Sequence, residues 1–187
     1  ALSVKQILAI DLGTDMFPAL ALGMERPEPD VMKHPPRSRN QPLLDRDVLS
    51  RAFWLGMIES VLCFAGFIIV FILSGHTRRI GLPILENISI PANWKLHISA
   101  PEAILLASTV YHAGVIMAQI GNAFACRSDR ARSSYLGWLS NKYLLVGVLI
   151  ELTGILGIIY IPFLAKIFNH TPLPVWMWAG LVLYAPF

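Results

Sequence analysis

The chain has 187 residues, of which 55% are hydrophobic and 14% charged, with a formal net charge of +3 at pH 7. Length alone would allow one or two soluble domains, but apolar runs of roughly 20 residues read instead as membrane spans. The small net charge gives no reason to expect a nucleic-acid partner. The two cysteines, Cys63 and Cys126, suit neither a disulfide framework nor a CxxC metal site.

Five apolar segments are expected as spans: residues 2–24, 52–74, 102–126, 143–167 and 174–187. The predicted fold class is an all-α polytopic transmembrane bundle of four spans plus a truncated fifth. The chain begins and ends inside apolar runs, so a piece of a longer chain is expected. The first segment contains "AIDLGTDMFPAL", with two aspartates where lipid or a dry core is expected. Asp11, Thr14 and Asp15 fall at i, i+3 and i+4, which places them on one helix face. A lone aspartate at the centre of a span costs roughly 2.5–3.5 kcal/mol on insertion scales. Two such carboxylates become tolerable with a cation between them or with protons on them. Pro18 has no N–H, so the carbonyl of Thr14 loses its i+4 donor. Gly13 allows the backbone to bend nearby. A freed carbonyl, a hydroxyl and two carboxylates make an all-oxygen cluster, the donor set that hard cations take. The pattern also fits a secondary transporter, which places acids on broken helices, and a soluble helix kinked at Pro18.

The later segments add further polar groups. Glu59 lies early in the second, about two turns from its end, and reads either as a site residue or as an acid hydrated near the interface. Gln119 and Asn122 share a face of the third, as ligands or as interhelical hydrogen-bond partners. His112, also on the third, reads as a packing or hydrogen-bonding residue. Glu151, near the middle of the fourth, reads as functional.

Spans alternate sides, so loops 25–51 and 127–142 share one face. They carry Arg26, Lys33, Arg37, Arg39, Arg46, Arg51, Arg127, Arg130, Arg132 and Lys142, ten of the fifteen basic residues. The positive-inside rule places both loops in the cytoplasm. Trp94, Trp176 and Trp178 then fall near the outer interface and Trp138 near the inner one. Two N-x-S/T triplets, starting at Asn87 and Asn169, lie on the outer side, and proline close behind each argues against glycosylation.

The stretch "QILAIDLGTDMFPALALGMERPEPDVMKHPPR", residues 6–37, resembles the sixth membrane helix and following cytoplasmic loop of type II P-type cation-transporting ATPases. Its "DLGTDMxPA" form is most similar to the sodium/potassium and proton/potassium branch, and its "PEPDxMxxPPR" loop to the calcium-pump and bacterial branches. "AQIGNAFACRSDRAR" resembles the end of the eighth helix and "NKYLLVGVLIELTGIL" the ninth. The resemblance implies the C-terminal membrane region, from the sixth helix into the tenth. It implies Asp11, Thr14 and Asp15 as core ion ligands, Gln119 and Asn122 as eighth-helix ligands, and Glu151 as a ninth-helix acid associated with a third sodium site. An acid is usual where Asn122 stands, so calcium transport and a three-sodium stoichiometry are both put in question. Calcium, sodium, potassium, proton and manganese remain candidate cargoes.

The phosphorylation motif D-K-T-G-T, the nucleotide-binding and actuator domains and the broken fourth helix are not in this sequence. ATP and magnesium would therefore be bound by other parts of the parent pump. The implied partners are membrane lipid, the preceding membrane helices, and the phosphorylation domain, reached through the proline-stiffened loop 25–37. The implied location is the plasma membrane. About half of a binding site is expected here, with poor independent stability.

Overall fold

The computed structural model describes residues 2–27, 31–33, 35, 42, 44–81, 85, 88, 90–128 and 137–185. Helix α1 (Val4–Leu8) runs into a π-helical turn (Ala9–Thr14) and on into α2 (Met16–Leu22). Helix α3 spans Arg46–Ser74, α4 Ala100–Ala125, α5 Lys142–Tyr160, α6 Pro162–Phe168 and α7 Val175–Val182. No strand occurs among the described residues. Residues 28–30, 34, 36 and 37 of the proline-rich loop, Arg39, Arg130, Arg132, and Asn87 and Ser89 of the first N-x-S/T triplet lie outside the described residues.

The all-helical expectation holds. Among the described residues α3, α4 and α5 are long and apolar enough to cross a membrane. The expected first and fifth spans are built from shorter helices. The expected fourth, 143–167, divides at Ile161, because Pro162 cannot donate a backbone hydrogen bond and starts α6 in its first turn. The helix ends follow their capping residues. Asp45 accepts the N–H of Val48 at 3.0 Å to open α3, which closes on Gly75 at φ +71°. Ser99 and Glu102 form a capping box at α4, and Asn141 accepts the N–H of Leu144 at 3.0 Å at α5.

Helix α4 is the central element. It is buried over most of its length, whereas α3 and α5 expose most of theirs. Its small residues, among them Ala107, Ala113, Gly114 and Gly121, allow neighbours to approach closely, as packing without water between helices requires. Tyr184 wedges between α3 and α4. Its hydroxyl donates to the carbonyl of Leu62 at 2.8 Å. A Cβ on Gly66 would lie 2.8 Å from that hydroxyl, and one on Gly114 3.1 Å from the ring.

Polar side chains fasten the first helix near each end. Gln6 Nε2 donates to the carbonyl of Phe168 at 2.9 Å. Beyond α2, Arg127 donates to both oxygens of Glu25, Nε to Oε2 at 3.0 Å and Nη2 to Oε1 at 2.9 Å. Arg127 also donates to the Gly137 carbonyl at 2.9 Å and to Ser140 Oγ. Asn141 donates to Glu25 Oε2 at 2.8 Å and to the Ala21 carbonyl at 3.1 Å. The Arg127 side chain is fully buried and that of Glu25 is 16% exposed. The Arg127 hydrogen bonds hold the Glu25 carboxyl below the usual carboxylate range, with Asn141 adding to the effect.

At the opposite end a directed chain of hydrogen bonds closes the loop after α6. Thr109 Oγ1 donates to the Leu105 carbonyl at 2.8 Å and accepts the Thr171 N–H at 3.2 Å. Its remaining lone pair faces His170 Nδ1 at 3.1 Å, so that nitrogen carries the proton. His170 Nε2 then accepts from His112 Nδ1 at 2.7 Å. Burial lowers the pKa of His170 to about 4, so it is neutral at pH 7.

The Glu25–Arg127 pair yields the first prediction. Arg127→Ala strands a largely buried carboxylate and should cost about 3 kcal/mol, read as a lower thermal midpoint of the intact protein in detergent at pH 7. Glu25→Gln should destabilise at pH 7 as well. A carboxyl with a depressed pKa stabilises above its unfolded value and loses that contribution as pH falls through the folded one. The gap between Glu25→Gln and the unsubstituted protein should therefore narrow in acid.

Candidate functional site

The π-helical turn determines where the first helix's polar groups lie. Asp15 donates its N–H to the carbonyl of Ile10 at 2.9 Å, five residues back. Thr14 Oγ1 donates to that same carbonyl at 2.9 Å. The i, i+3, i+4 spacing predicts one shared face, and in the structure the three residues differ in burial. Thr14 is buried, while Asp11 and Asp15 are exposed. The break expected from Pro18 thus has its hydrogen-bond irregularity one turn earlier.

Helix α5 supports this stretch. Its buried residues Leu144, Gly147, Glu151, Ile155 and Ile159 form one stripe. A Cβ on Gly147 would lie 3.1 Å from the nitrogen of Pro18 and 3.3 Å from the carbonyl oxygen of Phe17. A Cβ on Gly154 would lie 3.8 Å from Thr14 Cγ2. Glu151 falls between these two contacts, fully buried, with no hydrogen-bond partner to either carboxylate oxygen.

On the other side of α2 a cavity of about 270 Å³ opens toward α3 and α4. Asp15, Glu59, Gln119 and Asn122 line it, with apolar walls from Pro18, Leu22 and Ala123. Asn122 Nδ2 donates to Glu59 Oε2 at 2.9 Å, so the hydrogen-bonding role expected of Asn122 is realised, with an acid as its partner. The carbonyl oxygen of Gln119 has no partner. The structure therefore brings Asp15, Gln119 and Asn122 together, sets Thr14 and Glu151 at the α5 interface, and leaves Asp11 exposed outside the cavity. Among the described residues no three histidine, cysteine or acidic side chains converge as a metal cluster. Any cation held in the cavity would draw on carboxamide oxygens and water as well as carboxylates. His112 is a hydrogen-bonded packing residue, as expected, and neither cysteine forms a disulfide.

Apolar helices long enough to span, with carboxylates and carboxamides turned into a cavity between them, define an integral membrane protein with a polar site inside its bundle. The family described as "Cation transporting ATPase, C-terminus" matches residues 1–187, and the chain belongs to it, as part of the membrane region of P-type cation-transporting ATPases. It is 32% identical to the calcium-transporting ATPase of Bacillus subtilis over 168 residues, covering 88% of this chain and 15% of that protein. It is 28% identical to a probable calcium-transporting ATPase of Trypanosoma brucei brucei over 175 residues, 94% of this chain and 17% of the relative. It is also 28% identical to the sodium/potassium-transporting ATPase subunit alpha-2 of Rattus norvegicus over 190 residues, 95% of this chain and 18% of the relative. The chain thus spans less than a fifth of the length of these relatives.

Gly147 provides a test of how the first helix is held. Gly147→Val places a branched side chain against the Phe17–Pro18 backbone, and overpacking of this kind costs about 1–3 kcal/mol. The expected result is a lower thermal midpoint in detergent. Gly56→Ala, whose added Cβ meets nothing within 4 Å inside α3, should not lower the midpoint.

Proposed function

We propose that this chain supplies part of the transported-ion site of an ATP-driven cation pump that cycles through an aspartyl-phosphate. The observation that carries the reading is the cavity beside the irregular first helix, lined by Asp15, Gln119 and Asn122, in a chain of this family. Asp15 and Asp11 contribute charge, Thr14 a hydroxyl or backbone oxygen, and Gln119 and Asn122 neutral oxygens. Glu151, with both oxygens buried and unpartnered, suits a second position for a cation or proton. The exposed face carrying Asp11 is where other membrane helices of the pump would pack and complete the coordination.

In this reading the remainder of the pump binds ATP and magnesium, and the loop following α2 meets its phosphorylation domain. The pump lies in the plasma membrane, with loops 25–51 and 127–142 in the cytoplasm. The relatives are named for calcium and for sodium/potassium transport, so the cargo in this reading is an alkali or alkaline-earth cation or a proton. Alternating access would change the spacing and hydration of these oxygens, and so their affinity for the ion.

The test is ATPase activity of the intact pump across a panel of cations. Asp15→Asn removes a formal charge from the site and should raise the stimulating ion's half-maximal concentration by about tenfold or more, a loss of at least ~1.4 kcal/mol. An unaltered ion dependence would sink the ligand assignment.

A further inference from the structure

Helix α3 places a carboxylate, Glu59, inside an otherwise apolar stretch, with Leu55, Ile58 and Leu62 around it. An acid there that served only to meet water could turn outward to the interface. Glu59 instead is half-buried, faces α4, and accepts a hydrogen bond from Asn122. That bond fixes the orientation of the amide. A carboxylate can only accept, so Asn122 must present its Nδ2, and its Oδ1 is turned elsewhere. No lysine or arginine among the described residues forms an ion pair with Glu59.

The cavity this creates has a distinct donor set. Two carboxylates, Asp15 of the first helix and Glu59 of α3, share it with the carboxamides of Gln119 and Asn122 on α4. The carbonyl oxygen of Gln119 is buried and without a partner. All of these donors are oxygen, which suits an alkali or alkaline-earth cation and disfavours soft metals. At about 270 Å³ the cavity has room for a cation together with several waters, each of which takes about 30 Å³ of liquid volume. Leu22 and Cys126 line it where α2 and α4 end, so it leads from that end of the bundle to Asp15.

We infer that Glu59 is an additional cation ligand, positioned by Asn122, which receives a partly hydrated alkali or alkaline-earth cation in the cavity between the first helix, α3 and α4. This deepens the proposed function and rests on it. Removing Glu59 would leave Asp15 as the only carboxylate among the described residues that line the cavity, while the hydrogen-bonding capacity of Asn122 would remain.

Equilibrium binding of radiolabelled calcium, sodium and rubidium to the purified intact pump, without ATP, tests the inference. The unsubstituted protein should bind at least one of the three, and Glu59→Gln should weaken that binding by about tenfold or more. The exchanged variant Glu59→Gln with Asn122→Asp, which returns a carboxylate to the other side of the same hydrogen bond, should recover most of the loss. A merely structural Glu59 would bind the ions normally as Glu59→Gln, because the carboxamide can still pair with Asn122. Wild-type affinity in Glu59→Gln, with weakened binding in Asp15→Asn, overturns the role of Glu59 and leaves the proposed function standing. Wild-type affinity in both variants, or no binding of any of the three ions by the unsubstituted protein, overturns the reading beneath it as well. If Glu59→Gln fails to accumulate, Glu59→Asp serves instead. Withdrawing the carboxylate by one methylene should weaken binding measurably, and unchanged affinity would overturn the inference.

Discussion

A helix inside hydrocarbon has no solvent to repair a broken backbone hydrogen bond, so every irregularity must be satisfied by the protein itself. At the π-helical turn, Ala9–Thr14, one carbonyl takes two donors. Ile10 accepts from both the Asp15 N–H and the Thr14 hydroxyl. The rest of the arrangement follows from it. Thr14 is committed inward, toward α5. Asp15 is carried round to the cavity side. Helix α5 can lie against Phe17 and Pro18 because Gly147 has no side chain to keep it away.

The long helices were legible because each contains an apolar run of spanning length. Asp45, Ser99 with Glu102, and Asn141 sit where such residues open helices. The shorter pieces were less so. Pro162 interrupts a run whose hydropathy continues through it, so a single fourth span was expected where the structure has α5 and α6. In the first helix the proline announced an irregularity, but not that the ladder would widen upstream of it. The segment lies against α5 at Gly147 and Gly154, contacts that composition does not encode.

The site was legible as residues but not as an assembly. Asp15, Gln119 and Asn122 could be named because acids and amides are costly in a span. Which of them meet depends on the rotation of three helices about their axes. Glu59 stood between two readings for the same reason, since its partner is 63 residues away in sequence. Arg127 read only as one of the basic loop residues that oriented the chain, since its partner Glu25 lies 102 residues away. His170 carried no sequence signal at all. Its role comes from the loop after α6 folding back onto Thr109 and His112.

The fastenings of the first helix limit how it can move. Gln6 holds it to the end of α6, and Ala21 and Glu25 hold it to Asn141 and Arg127. A piston-like slide along its axis would have to break both sets of bonds together. A twist confined to the middle would break neither, because the wide turn between the anchors can tighten or loosen as its own N–H groups exchange acceptors. The helix is therefore built like a torsion spring clamped at both ends. Rotation, not translation, is the motion through which it would turn its carboxylates toward or away from the cavity.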